Sequence, residues 1–193
     1  MTELAGSRIL IVGASGVLGA LLAHRLADAG AKLALSGRDP ARLAAAGLHG
    51  ELIVADLTEP GSPERIVERA VAALGGLDGV VIAAGAASLD PLDAIFEGLD
   101  RAGGRMVRHG TPAHPGSLLW LARWRDRPVL GMPACGMFSQ ATSFDLVLPR
   151  ILAGETVENA ELAEIGHGGL LSRDSAWRFP PYRTSAARGE LPE

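Results

Sequence analysis

Three glycines stand three residues apart in GASGVLG, at Gly13, Gly16 and Gly19, directly after the apolar run RILIV of Arg8–Val12. That spacing suits the holding of a diphosphate. A turn sharp enough to leave a strand and enter a helix needs a backbone free of a Cβ. A phosphate closes on backbone amides only where no side chain intrudes, and a helix sits tight on a sheet only where a third side chain is missing. The amides that open the next helix then face the anion, and the helix dipole favours its charge. The candidate contacts are Gly13, Ser15, Gly16, Val17, Leu18 and Gly19. A glycine triplet alone is weak; this one lies between an expected strand and an expected helix, which is the context the pattern needs.

The second group with chemistry is SGRD, at Ser36–Asp39. An acidic residue at the end of a second strand would hold a ribose 2′-hydroxyl. This chain offers Ser36, Gly37 and Arg38 instead, and a guanidinium suits a 2′-phosphate, so NADP is expected ahead of NAD. Asp39 stands next to Arg38 as an alternative ribose partner, and both also read as turn residues that begin a helix.

These residues need a βαβ series to position them. Arg8–Val12 reads as a buried strand. Val17, Leu18, Leu21, Leu22, Leu26 and Ala29 recur at helical spacing and predict the apolar face of a helix that Gly30 closes. A strand over Lys32–Leu35, a short helix near Pro40–Ala46 and a strand over Glu51–Ala55 follow. Ser62 is expected to cap the next helix, with Pro63 and Glu64 in its first turn and Gly75-Gly76 as its stop. A fourth strand is expected over Gly79–Ala84. Strands alternating with helices over short links imply right-handed crossovers and one parallel sheet.

Bulk composition agrees. Apolar residues make up 48% and aromatics 4%, so the core must be built from Ala, Val, Leu and Ile, as in helices packed on a parallel sheet. A net charge of −4 gives no footprint for nucleic acid. The single cysteine, Cys135, precludes an intramolecular disulfide and fits a reducing cytoplasm. The first residues, MTELAGSRILIVG, lack the pattern of a signal peptide, and no apolar run approaches the roughly 20 residues that span a membrane.

With these elements in view, residues from Ser7 to about Gly85 resemble the N-terminal half of a short-chain dehydrogenase/reductase. The likeness rests on GASGVLG, SGRD, the ADL of Ala55–Leu57 and the IAAG of Ile82–Gly85. It implies a Rossmann-like, NAD(P)-binding oxidoreductase lineage. It also implies that Asp56 and Leu57 border the adenine, and that the backbone of Ala83, Ala84 and Gly85 passes the cofactor ribose. The family often carries asparagine where Ala83 or Ala84 stands here. Its chemistry uses a Tyr-x-x-x-Lys pair with a nearby serine. Here the one lysine is Lys32 and the one tyrosine is Tyr182, so no catalytic residue is assigned and turnover stays open.

The second half reads differently. Asp93–Ala102 predicts an amphipathic helix stopped by Gly103-Gly104, and Arg105–His109 a short strand. Leu118–Trp124 and Pro128–Met132 predict a hairpin turning at Asp126-Arg127, with Trp120 and Trp124 packed in it. Ser139 or Thr142 is expected to cap a helix running to Leu152, with Phe144, Leu146, Val147, Leu148 and Ile151 on its apolar face. Pro149 should kink or shorten that helix. The tail from Ser172 onward has no apolar periodicity and is expected to be irregular.

From about Gly85 to Leu171 the chain resembles the molybdopterin-binding domains of molybdenum-cofactor biosynthesis proteins. The likeness rests on the AGG of Ala102–Gly104, PGSLL at Pro115–Leu119, RPVLGMPAC at Arg127–Cys135, FD at Phe144-Asp145 and GHGGLL at Gly166–Leu171. It implies molybdopterin as an alternative ligand. With no Lys or Arg between Pro128 and Pro149, a pterin phosphate would depend on backbone amides and a helix end at Ser139. The two likenesses meet at Asp78–Ser88, which implies a chimeric chain. The organisation expected is a nucleotide-binding half over 1–88, a pterin-type half over 89–171 continuing the same sheet, and a tail over 172–193. The fold class is α/β: three layers around a doubly wound, mostly parallel sheet, with a C-terminal hairpin and an irregular tail.

Single residues add little. Cys135 reads as a small buried thiol with no evident histidine partner. His109 and His114 read as loop histidines lacking a third metal ligand, and His167 as a turn residue. Asp90 and Asp93 follow the fourth strand, where open sheets bind ligands; they are candidates to touch a pterin or Mg²⁺, with Asp93 equally a helix cap. Three functions stay open: an NADP-binding protein of dehydrogenase type, a molybdopterin-binding protein, and a non-catalytic module that binds a protein partner or a second copy of itself.

Overall fold

The computed structural model describes residues 4–47, 49–83 and 94–166. The chain divides into two compact units, Met1–Gly85 and Ala86–Glu193. The first is built on β1 (Arg8–Val12), β2 (Lys32–Gly37), β3 (Glu51–Val54) and β4 (Gly79–Ile82), all parallel and in the order β3-β2-β1-β4. Helices α1 (Val17–Asp28) and α2 (Pro40–Ala45) cover one face, where Ile9, Ile11, Leu33, Leu35, Ala23 and Leu43 form a core. Helix α3 (Ser62–Leu74) covers the other, packing Ile66 and Ala70 on Leu10, Ala34 and Ile53. Alternate residues of β1 and β2 thus enter opposite cores, as strands buried on both faces must. This is the three-layer, doubly wound arrangement expected from the sequence.

Two local expectations fail for instructive reasons. The leucine face drawn for α1 packs only in part: Leu26 lies against the core and Leu22 is half-buried. Gly19 and Ala23 are buried, whereas Val17, Leu18 and Leu21 are exposed, Val17 at 93%. At its start the helix lies so close to the glycine turn that only small residues fit there. Ser62 is likewise not the cap of α3. Gly61 is, at φ 72°, and Ser62 enters the helix with its hydroxyl buried and unpaired. Gly75 ends α3 in the left-handed conformation, at φ 75°.

The second unit has its own sheet. Strands β5 (Arg105–His109), β6 (Trp120–Trp124) and β7 (Arg127–Gly131) pair antiparallel in chain order. The expectation that this half continues the first sheet therefore fails among the described strands: Val129 and Leu130 pair with Ala122 and Leu121, not with β1 or β4. A two-residue hairpin imposes this pairing, because it can only return antiparallel. The loop is Arg125-Asp126, one residue earlier than expected, with Arg125 at φ 54°. Helices α5 (Ser143–Leu152) and α6 (Asn159–Glu164) cover one face, burying Leu119, Leu121, Val147, Val157 and Leu162. Near the other, Phe96 of α4 (Ala94–Arg101) meets Trp120 edge-on at 5.2 Å between ring centres and His109 at 5.1 Å. The Trp120 ring lies against Gly131, where a Cβ would collide with it. Helix α5 runs through Pro149 to Leu152 rather than stopping there.

Candidate functional site

The strand ends of the first sheet gather the residues singled out above. Gly13 follows β1 at φ 85°, and the amides of Gly13 and Ala14 both donate to the Ser36 carbonyl at 2.9 Å. The glycine turn is thereby tied to the end of β2. The first bond of the helical ladder runs from the Ala20 amide to the Gly16 carbonyl, at 2.8 Å. The amides of Val17, Leu18 and Gly19 precede that ladder, as the first amides of any helix do.

The three glycines are not equivalent. A Cβ on Gly13 would lie 2.5 Å from the Ala83 carbonyl oxygen, and one on Gly19 would run into the carbonyl of Gly13. Both are demanded by the protein's own packing. Gly16 is not. Its backbone, at φ −83° and ψ 162°, suits any residue, and a Cβ there would meet nothing nearer than the Gly13 oxygen at 3.4 Å. It also opens α1 with no side-chain cap. The fold leaves this position bare without needing it bare.

Along the same strand ends, Ser36 is buried while Arg38 is exposed. Asp39 is committed elsewhere: its Oδ1 accepts from the amides of Ala41 at 2.9 Å and Arg42 at 3.1 Å, capping α2. Past β3, the Asp56 carboxylate accepts from the Thr58 amide at 2.9 Å and the Thr58 hydroxyl at 2.8 Å. Those two donors, in that order, with help from the Arg38 charge, hold Asp56 below the usual carboxylate range. Leu57 beside it is 46% exposed. Ala83 continues β4, donating to the Val12 carbonyl at 2.8 Å. Gly13–Gly19, Ser36, Arg38, Asp56, Leu57 and Ala83 thus line the carboxyl ends of four adjacent strands. Ala84, Gly85, Asp90 and Asp93 lie outside the described residues, as do His167, Tyr182 and the tail.

Sequence reasoning missed Thr58, although Asp-x-Thr after a strand is a turn signature in which the threonine closes back on the aspartate. It named Gly37 only as part of the strand end, not as the neighbour of Ser15 that the structure makes it.

The second unit offers less. The helix end expected at Ser139 does not exist. Helix α5 begins after Thr142, and a capping box closes it: Asp145 Oδ2 accepts from the Thr142 amide at 2.7 Å and the Thr142 hydroxyl at 2.9 Å. The Thr142 hydroxyl in turn accepts from the Phe144 amide at 3.2 Å, so this helix end is capped from within. Cys135 is half-buried in a 3-10 turn at Ala134–Met137. Among the described residues no group of His, Cys, Asp and Glu could hold a metal ion, and no helix is long and apolar enough to cross a membrane.

Comparison with known proteins bears on the first half. Over 89 residues the chain is 39% identical to an uncharacterised oxidoreductase of Mycobacterium tuberculosis, covering 44% of this chain and 33% of that protein. Over 107 residues it is 33% identical to glucose 1-dehydrogenase of Gluconobacter oxydans, covering 49% and 40%. A short-chain dehydrogenase of Burkholderia cenocepacia, solved in complex with NADP, is 31% identical, with TM-score 0.38 over 52% of this chain and 46% of that one. The chain spans a third to two fifths of the length of these two curated relatives. Residues 7–98 match the family model of the short chain dehydrogenases, the family that GASGVLG, SGRD and ADL resemble, and the match ends before β5.

Proposed function

We propose that this chain binds NADP, and NAD more weakly, at the carboxyl ends of β1–β4. In this reading the amides opening α1 hold the diphosphate, Arg38 takes the ribose 2′-phosphate, and Asp56 with Leu57 borders the adenine. The observation that carries it is Gly16: its missing side chain serves no contact of the protein, so it serves an incoming group. The exposed Arg38 guanidinium, beside a strand end that carries no free carboxylate, favours the phosphorylated cofactor.

The family match over residues 7–98 supports an oxidoreductase lineage, and the reaction, if the chain performs one, would use the hydride chemistry the nicotinamide supplies. The chain's own described residues bind and orient; none is assigned to proton transfer. Calorimetric titration with NADPH tests the proposal. Saturable heat that Gly16→Val abolishes supports it, and the absence of heat at millimolar NADPH overturns it. The pterin alternative has no comparable bare helix start behind it, because Thr142 and Asp145 cap α5 with their own side chains.

A further inference from the structure

We infer that Gly37 is a positioning residue for this site: by carrying no side chain it seats Ser15 against the end of β2 and so fixes the phosphate turn relative to the ribose-facing strand end. The inference rests on the nucleotide reading above and adds a residue to it. Gly37 closes β2, pairs with Val54 of β3 and is buried. Its φ is not positive, so the backbone there does not require glycine. A glycine inside a strand is unfavourable, and where one is found another group usually presses close.

Here that group is Ser15. A Cβ on Gly37 would stand 2.7 Å from Ser15 Oγ and 3.1 Å from Ser15 Cβ, with Leu43 Cδ1 behind it at 3.3 Å. Leu43 is 1% exposed and belongs to the core, so the strand cannot give way on that side. The Gly37 carbonyl also accepts the Ala55 amide at 3.1 Å, which pins the strand to β3. Ser15 must therefore be what moves. It sits between Ala14, bonded to the Ser36 carbonyl, and Gly16, the cap of α1. Displacing it shifts the amides that face the diphosphate while β1 and β2 stay in place.

The same contact bears on cofactor choice. A carboxylate at position 37, as a ribose 2′-hydroxyl would want, would bring its Cβ to 2.7 Å from the Ser15 hydroxyl and so require Ser15 to shift. Ser15 and Gly37 together disfavour an acid at this strand end and leave recognition to Arg38.

The test is a double-mutant cycle on the full chain with Gly37→Ala, Ser15→Gly and both together, read by NADPH titration and by thermal unfolding. Gly37→Ala is expected to weaken NADPH about tenfold, and to cost less than about twofold in the Ser15→Gly background. An equal loss in both backgrounds, or none in either, overturns the inference. If Gly37→Ala does not fold, the double variant should; if neither folds, the cost lies outside the Ser15 contact and the inference fails. If the unaltered chain gives no heat with NADPH, the nucleotide reading fails by itself. The packing claim is then judged on melting temperature, which Gly37→Ala should lower only where Ser15 is present.

Discussion

Helix α1 opens at Gly16, which offers its first amides no side chain, whereas α5 opens at Thr142, whose hydroxyl and partner carboxylate Asp145 close the end. Every helix begins with amides outside its own ladder, and they must be met by a side chain, water or a ligand. Helix α5 meets them from within. Helix α1 leaves that place bare, and does so with a residue its packing does not require. A helix start tells of a ligand only when it has been kept from satisfying itself, and the glycine that reveals this is the one with room around it.

The comparison can be broken most violently at Gly19. Replacing it by valine drives a side chain into the Gly13 carbonyl. Overpacking of this kind costs about 3 kcal/mol, enough to consume much of a small domain's stability. Thermal unfolding monitored by far-UV circular dichroism should show a large drop in melting temperature or no cooperative transition. If Gly19→Val melts like the parent, the close approach of α1 to the turn is wrong, and with it the contrast between the glycines.

Gly16→Ala sharpens the contrast. The position accepts a Cβ at an ordinary distance, so stability should change by less than about 1 kcal/mol. Affinity for NADPH should nevertheless fall by tenfold or more, about 1.4 kcal/mol, because the methyl stands where the phosphate approaches. Equal affinity for both proteins in calorimetry would remove the reason for calling this helix start a site.

At the other helix the balance reverses. Thr142→Ala removes the hydroxyl that receives the Phe144 amide and that bonds Asp145, and a lost cap costs about 1 kcal/mol. Chemical denaturation should report that loss while NADPH titration is unchanged. A change in NADPH affinity would mean that the closed helix end takes part in binding after all.

What the sequence disclosed follows the same division. RILIV, GASGVLG and the glycine stops announce strands and turns because they are local: a β-branched run, a forced backbone angle, a missing Cβ. The parallel sheet and its helices were legible for that reason. The face of α1 was legible only toward its end, where Leu26 meets the core; at its start the packing obeys how near Gly19 can come to Gly13, and Val17, Leu18 and Leu21 stay outside. Gly13, Gly16 and Gly19 look alike in sequence, and only the neighbours of a notional Cβ separate the two structural ones from the spare one. The pairing of Leu130 with Leu121 was legible as the hairpin expected over Leu118–Trp124 and Pro128–Met132, because a short turn between two strands is a local signal. Asp39 read either as a ribose partner or as a turn residue that begins a helix, and the structure gives it to the start of α2; the tie between Asp56 and Thr58 was not foreseen.

The smallest effect lies at the opposite end of the first sheet, where the strands begin and no ligand is expected. There Arg8 grips Asp78 with Nε at 2.9 Å, Nη2 at 2.7 Å and its own amide at 2.9 Å, joining the start of β1 to the start of β4. The Arg8 guanidinium, and then its amide, hold the Asp78 carboxylate far below its ordinary range. A carboxylate whose native pKa is depressed releases its proton more readily in the folded state than in the unfolded one. Its contribution is complete above the unfolded value, about 4, and disappears as the pH falls through the native value. Between about pH 4 and 2, therefore, the first unit should lose stability more steeply than an Asp78→Asn variant does. Both partners are partly exposed, so the difference should be modest and should shrink with added salt. Urea midpoints measured at intervals across that range decide the point. Parallel slopes for the two proteins would show that Arg8 and Asp78 do not lock the strand starts, and that the first sheet is anchored by its cores alone.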